Sequence, residues 1–298
     1  MVVVIKDLPR KKYLLPGNTA CQGCPHTLGL KALGMALGDD VVLVIPAGCI
    51  TVIAGIGKKS SLNFPCLHVP FASAPAVATG ISSALKRLKK NGIVVVWMGD
   101  GASDIGFSTL SGAANRNDDM IVIVSDNEAY MNTGIQTSGT TFWKAITTVS
   151  PSGKTEEKKD LALIMMMHRA NYVATASVGY LQDFIAKLRK AKDIDGFRFI
   201  HLHSPCPTGW GFDSSETVEI ARMAVKCGAW ILWEYDGEFK ISSISKPYKD
   251  KSKRIPVREY LKRQKRFRHL SDEDIKYIER KIDEQWRFVT QFESLNTN

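Results

Sequence analysis

The chain has 298 residues, 44% hydrophobic and 23% charged, a balance that supports a buried core and excludes a disordered protein. Its start, MVVVIKDLPRKKY, lacks the pattern of a secretory signal, and its most apolar stretch, 41–57, is short and carries Pro46. No membrane span and a cytoplasmic location are therefore expected. The formal charge of +10 is concentrated: between Lys240 and Arg268, twelve basic residues accompany only Asp250 and Glu259, which reads as a solvated face or subunit arm without a nucleic-acid-binding motif.

In chain order, the first feature is PGNTACQGCPHTLG at 16–29, a loop punctuated by Gly17, Gly23 and Pro25 that carries Cys21 and Cys24. By itself a C-x-x-C pair is metal-binding, thioredoxin-like or idle; no convincing strand precedes it, which disfavours the thioredoxin reading. DVVLVIPAG reads as a strand running into a loop, and SAPAVATGISSALKRLKK as a helix with basic residues in its last turn. NGIVVVWMGDG is a strand, SDIGFSTLSGAANRN a helix and DMIVIVSDNEAY a β-branched strand. Then come a helix (KKDLALIMMMHRANY), a strand (YVATASV), a helix (LQDFIAKLRKAK) and a strand (GFRFIHLHSPCP). This alternation predicts an α/β fold with a mainly parallel sheet flanked by helices. Residues 1–235 form that domain; 236–298 read as a basic C-terminal extension ending in a helix over SDEDIKYIERKIDEQWRFVTQF.

Ligands of a parallel sheet gather beyond the carboxyl ends of its strands. One such end is WMGDGASD, where Gly99, Asp100, Gly101 and Ala102 allow backbone N–H groups to approach a diphosphate. Asp100 would repel that anion, so its presence makes sense with Mg²⁺ between them. The next strand end, VSDNEAYMNTG, offers the Asn127 side-chain carbonyl and the Ala129 main-chain carbonyl to complete an oxygen shell. The spacing is neither a dinucleotide fingerprint nor a Walker loop. Cys49 in IPAGCI and Cys206 in HSPCPTGWG follow apolar strands and offer two more soft ligands to Cys21 and Cys24; a Cys₄ set suits zinc as well as an iron–sulfur cluster. Cys66 and Cys227 match no ligand pattern and read as buried thiols, and His68, His201 and His203 as strand or loop histidines.

GDGASDIGFSTL and SDNEAYMNTGIQTSG, together with CQGC, AGC and CPTGWG, resemble the β subunits of the pyruvate:ferredoxin oxidoreductases, within the thiamine diphosphate-dependent 2-oxoacid:ferredoxin oxidoreductases. The resemblance implies Mg²⁺ ligation by Asp100, Asn127 and Ala129, and diphosphate binding by Gly99 to Ala102. It also implies a cofactor pocket including His26, Cys49, Tyr130 and Asn132, with Asn132 beside the thiazolium ring and substrate as the catalytic residue. Cys21, Cys24, Cys49 and Cys206 would hold a [4Fe–4S] cluster. Relatives commonly place Gly where this chain has Pro25, and His26 is left open between the diphosphate and the pocket wall. The implied reaction converts a 2-oxoacid, pyruvate foremost, and coenzyme A to acyl-CoA and CO₂, with electrons passing to ferredoxin. The carboxylate that activates thiamine has no clear candidate here; an α subunit would supply it, and γ- and δ-type subunits the remaining functions. Another 2-oxoacid, or a non-redox thiamine lyase or synthase with structural zinc, is the alternative.

Overall fold

The apolar runs become the central strands of one eight-stranded sheet. The strands are β1 (Val41–Pro46), β2 (Cys66–Val69), β3 (Ile93–Gly99), β4 (Met120–Asp126), β5 (Tyr172–Ser177), β6 (Phe197–His203), β7 (Trp233–Tyr235) and β8 (Phe239–Ile241). Their order is β2-β1-β3-β4-β6-β5-β7-β8; the first six run parallel, and β7 and β8 add an antiparallel hairpin. This is a computed structural model describing residues 8–295; the first seven residues of the N-terminal stretch and the last three of the C-terminal extension lie outside the described residues.

Alternate strand residues feed two cores. Val94, Val96 and Met98 of β3 and Met120, Val122 and Val124 of β4 face one side. Val95, Trp97, Ile121 and Ile123 face the other. Both faces are covered, so β4 and β6 are buried along their whole length, as the apolar run of β4 requires. Helices α1 (Pro25–Leu37) and α7 (Leu181–Lys192) pack against each other over the second core. The other core is covered by residues of α3 (Ala74–Arg87), α5 (Phe107–Asn115), α6 (Leu161–Met167), α9 (Thr217–Lys226), α10 (Val257–Lys262) and α11 (Asp272–Leu295).

Several elements differ from expectation. The loop after β1 contains α2 (Cys49–Ala54), and α1 begins directly after Cys24, so the C-x-x-C pair does enter a helix, without a preceding strand. The helix expected over SDIGFSTLSGAANRN starts earlier, at Asp100, and breaks at Gly106 into α4 (Asp100–Ile105) and α5. The basic segment is not separate from the core. A boundary after residue 235 falls inside the β7–β8 hairpin, and Val257, Tyr260, Leu261 and Phe267 are buried in the core shared with β3 and β4. Much of its charge is answered by the acidic face of α11: Lys249–Glu293 at 2.5 Å, Lys251–Asp283 at 2.6 Å and Arg254–Asp283 at 2.7 Å. Among the described residues, no helix is long and apolar enough to cross a membrane.

Candidate functional site: a cavity at the carboxyl ends of β3 and β4

Adjacent parallel strands end level with each other where β3 and β4 pair Gly99 with Ser125. The chain leaves β3 straight into α4, with Gly99 as its N-cap and Asp100 its first residue. It leaves β4 through Asn127, Glu128 and Ala129 into a tight turn, where Tyr130 N–H donates to the Gln136 carbonyl. Between these ends lies a cavity of about 220 Å³. Every residue expected to bind cofactor borders it: His26, Cys49, Gly99, Asp100, Gly101, Ala102, Asn127, Ala129, Tyr130 and Asn132. Gly101 packs under the Tyr130 ring so closely that a Cβ would sit 2.4 Å from a ring carbon, whereas a Cβ on Gly99 would meet open space.

The electrostatics are unbalanced in a telling way. Asp100 is 1% exposed and has no ion-pair partner among the described residues; burial and the charge of Asp126 push its carboxyl well above the usual range. Asp126 and Glu128 are equally buried, but Lys158 answers both, at 3.2 Å and 2.6 Å. Burial pushes both carboxyls up, and their partners outweigh it and hold them low: Lys158 and the His201 hydrogen bond for Asp126, Lys158 and Arg266 for Glu128. The Thr140 hydroxyl lies between the two aspartates, 3.1 Å from Asp100 Oδ2 and 2.8 Å from Asp126 Oδ1. The Asn127 side-chain amide lies against Ala129 O at 2.8 Å and Asp100 Oδ1 at 3.1 Å, where its nitrogen would donate to both and its oxygen would need a cation among them. With the amide oxygen turned to that side, the three groups offer a hard oxygen donor set, one member a carboxylate without an ion-pair partner among the described residues, that fits Mg²⁺. Trp97 also borders the cavity, and its buried indole N–H has no partner among the described residues.

The four thiols come from three places in the chain; Cys49 borders this cavity, and the other three lie near enough to Cys49 to interact with it electrostatically. Cys24 precedes α1, Cys49 opens α2, and Cys206 caps α8 (Pro207–Trp210), where Gly209 N–H donates to its sulfur at 3.4 Å. In the C-Q-G-C turn, Gly23 has φ +70°, and a Cβ there would lie 2.1 Å from the Ser214 carbonyl oxygen, so the turn admits only glycine. Burial, then repulsion from Cys206 and Cys21, pushes the Cys24 thiol up to about 12. Burial, then Cys206, Cys24 and Cys21, does the same for Cys49, and burial raises Cys206. All four are free thiols. Among the described residues no three His, Cys, Asp or Glu side chains converge on a single-ion site. Deprotonating such a set would need a cationic centre to offset its charge.

Other expectations resolve individually. His26 is 3% exposed and burial lowers its pKa to about 4. Its Nδ1 meets Ser125 Oγ at 2.5 Å and its Nε2 meets the Asn127 amide nitrogen at 3.4 Å. Both ring nitrogens are engaged by protein, so His26 lines the wall rather than presenting a free donor to a diphosphate. His201 and His203 lie in β6, the first on Asp126 at 2.9 Å and the second stacked on Trp230. His68 in β2 meets the Gly55 carbonyl at 3.0 Å. Cys227 is buried as expected, while Cys66 is only half-buried and lies 3.9 Å from His68 Nε2.

Sequence reasoning passed over Trp210 and Arg266. The Trp210 indole donates to the Asn127 main-chain carbonyl at 2.8 Å, tying the Cys206 loop to the loop after β4. Arg266, from the basic segment, stacks on Trp210 at 3.5 Å and pairs with Glu128 at 2.7 Å. Trp210 stands inside the CPTGWG motif, which was the available signal; nothing local marks Arg266. A second cavity of about 260 Å³ lies against α11, walled by Trp143, Trp230 and Tyr277. Lys158 and Lys159 border it, but they are paired with Asp126, Glu128 and Asp104.

Comparison with known proteins agrees with this geometry. Residues 46–202 match the family model described as thiamine pyrophosphate enzyme, C-terminal TPP binding domain. The chain is 45% identical to pyruvate synthase subunit PorB of Methanothermobacter marburgensis, over 93% of this chain and 96% of that one. It is 44% identical to ketoisovalerate oxidoreductase subunit VorB of Pyrococcus abyssi, over 94% and 93%. In fold it is similar to a 2-oxoglutarate:ferredoxin oxidoreductase from Magnetococcus marinus, solved with 2-oxoglutarate, coenzyme A and succinyl-CoA bound (TM-score 0.59, 24% identity, 74% of this chain and 84% of that one). The chain thus belongs to the thiamine diphosphate-binding β subunits of the 2-oxoacid:ferredoxin oxidoreductases, the family of PorB and VorB.

Proposed function

We propose that this chain is the thiamine diphosphate- and [4Fe–4S]-binding β subunit of a pyruvate:ferredoxin oxidoreductase, oxidatively decarboxylating pyruvate with coenzyme A as acyl acceptor. The observation that carries the reading is that Cys49 borders the same cavity as the Asp100–Asn127–Ala129 oxygens and interacts electrostatically with the other three candidate cluster thiols. When bound, thiamine diphosphate supplies a nucleophilic carbon for decarboxylation and the cluster accepts electrons one at a time.

This chain's own groups bind and orient. Asp100 Oδ1, Asn127 Oδ1 and Ala129 O would hold Mg²⁺, and the backbone from Gly99 to Ala102 the diphosphate. Tyr130, held over Gly101, fixes one wall of the cavity. Asn132 borders the exposed mouth, where its amide would meet substrate. Cys21, Cys24, Cys49 and Cys206 would ligate the cluster. An α subunit would complete the site over that mouth, with γ- and δ-type subunits and ferredoxin receiving the electrons, in the cytoplasm. The solvent-facing lysines of 240–268, Lys253 among them, form a surface for such partners.

Near-equal identity to a pyruvate and a ketoisovalerate enzyme subunit makes the substrate a direct question for experiment. Anaerobic co-expression with the partner chains, followed by coenzyme-A-dependent dye reduction, tests it. Pyruvate should turn over faster than 2-ketoisovalerate or phenylglyoxylate. The reverse order would overturn the pyruvate assignment, and zinc in place of iron and sulfide would overturn the redox reading.

A further inference from the structure

The segment 154–159 carries three lysines with two kinds of partner. Lys158 and Lys159 meet carboxylates: Asp126 and Glu128 for the first, Asp104 for the second. Lys154 is 4% exposed and, among the described residues, pairs with no carboxylate. A buried charge is costly unless its hydrogen bonds are made. Here they are made to main chain: Nζ donates to the carbonyls of Ser138 at 3.2 Å, Gly139 at 3.0 Å and Thr141 at 3.0 Å. Three acceptors suit the charged form, which has three N–H groups and no lone pair to set against an oxygen.

All three carbonyls belong to one turn, 138–141, closed by the Thr141 N–H on the Ser138 carbonyl at 3.2 Å. The donor groups of that turn go to the chain segments leaving β3 and β4. Gly139 N–H donates to Asp104 Oδ2 at 2.6 Å, and Thr141 Oγ to the Glu128 carbonyl at 2.6 Å. The Thr140 hydroxyl reaches Asp100 and Asp126. One short turn therefore shows carbonyls to a cation and donors to the acidic strand ends. Without a cation, three carbonyl dipoles would converge on one buried space; converging main-chain carbonyls are what replaces the hydration shell of a bound monovalent cation. Lys154 is itself fixed in place, its N–H donating to the Ala145 carbonyl at 3.1 Å and its carbonyl accepting from Lys144 N–H at 2.8 Å. Gly153 permits that approach, since a Cβ there would lie 2.6 Å from the Lys144 carbonyl oxygen.

We propose that Lys154 is a tethered monovalent cation: its ammonium seats the 138–141 turn by three carbonyls and so holds the Thr140 hydroxyl between Asp100 and Asp126, making Lys154 a positioning residue for the oxygen end of the site. The seat rests on the contacts above alone. Its consequence for Mg²⁺ rests on the metal assignment proposed above.

The test compares Lys154→Ala, which empties the seat, with Lys154→Met, which fills the same space with an apolar chain, in the assembled complex. Each is measured in potassium chloride and in choline chloride at equal ionic strength, because potassium fits among carbonyls and choline is too bulky for the vacated space. The first readout is hydrogen exchange of residues 136–143 by mass spectrometry, which reports local opening. In choline both variants should exchange at least about tenfold faster than the native complex, the cost of one buried group left without its partner. Potassium should restore most of the protection to Lys154→Ala and none to Lys154→Met. With thiamine diphosphate present, Mn²⁺ affinity read by electron paramagnetic resonance should fall about tenfold in choline and recover in potassium for Lys154→Ala alone.

Recovery of both variants, recovery of neither, or native-like exchange of Lys154→Met would overturn the tethered cation. Assembly of Lys154→Ala in potassium alone counts as recovery, and assembly in neither salt overturns the proposal. Exchange that recovers while Mn²⁺ affinity never changes would overturn the positioning role. A native complex that binds no Mn²⁺ would overturn the metal assignment, with the exchange data still deciding the seat.

Discussion

The oxygen end and the sulfur end of this site are built in opposite ways. Asp100, Asn127 and Ala129 leave two hydrogen-bonded neighbouring strands whose relative height is set by the sheet, through the pairing of Gly99 with Ser125. Cys21, Cys24, Cys49 and Cys206 sit on loops and helix starts from three distant segments, each held by its own local contact: the Gly23 turn on Ser214, the N-cap of α2, the Gly209 N–H on Cys206. The first region is over-determined by β ladders and buried charge. The second owes its assembly to topology, because β1, β6 and the start of α1 happen to end on one side of the sheet. Metal affinity at the oxygen end should therefore respond to single hydrogen bonds, whereas the sulfur end should fail through loss of a ligand.

The largest effects should separate the two ends. Cys49→Ser is expected to abolish pyruvate-dependent dye reduction in the complex and lower its iron and sulfide content, while thiamine diphosphate remains in a denatured extract. Asp100→Ala should do the reverse: cofactor and divalent ion are lost, with affinity falling at least about 100-fold, beyond the range of outer-shell losses, and iron is retained. If both variants lost both centres, the two ends would not be independent units.

Next comes the buried charge behind the oxygen end. Arg266→Met leaves Glu128, 2% exposed, with only Lys158 as partner, and should cost about 3 kcal/mol in denaturant unfolding, the low end for breaking a buried pair. Gly101→Ala drives a methyl into the Tyr130 ring and should cost about 1–3 kcal/mol by overpacking, with weaker thiamine retention and unchanged iron. Trp210→Phe removes the indole donor to the Asn127 carbonyl and should cost about 1 kcal/mol. Because this bond joins the Cys206 loop to the loop after β4, its loss should perturb both the Mn²⁺ spectrum and the cluster signal. Lys251→Ala, which opens a surface pair to Asp283 with the lysine 68% exposed, should change stability by no more than about 1 kcal/mol.

What the sequence disclosed follows the same division. The strands β1, β3 and β4 were legible because burial on both faces leaves a nearly unbroken apolar run, β5 and β6 because β-branched and aromatic residues recur between helical segments, and the oxygen ligands because they directly follow two of those runs. Helix α1 was missed: it opens on Pro25 and carries Gly29 and Gly34, so its propensity is poor, and packing beneath α7 stabilises it instead. The edge strand β2 and the short β7–β8 hairpin gave no pattern long enough to read, and α9 was passed over despite its amphipathic spacing. The basic segment was legible as charge but not as structure, since its partners on α11 and Glu128 are tertiary. Ser125, Thr140, Lys154 and Lys158 around the site are ordinary residues whose roles appear only when strands and loops are brought together.

The central claim is that one cavity joins a thiamine-bound divalent ion to a thiol-bound cluster. The most direct measurement is the electron paramagnetic resonance spectrum of Mn²⁺ placed at the Asp100–Asn127–Ala129 site of the anaerobic complex, before and after reduction. The account predicts that the Mn²⁺ lines broaden when the neighbouring cluster becomes paramagnetic, and that Cys49→Ser removes this broadening. A Mn²⁺ spectrum indifferent to reduction in the native complex would contradict it.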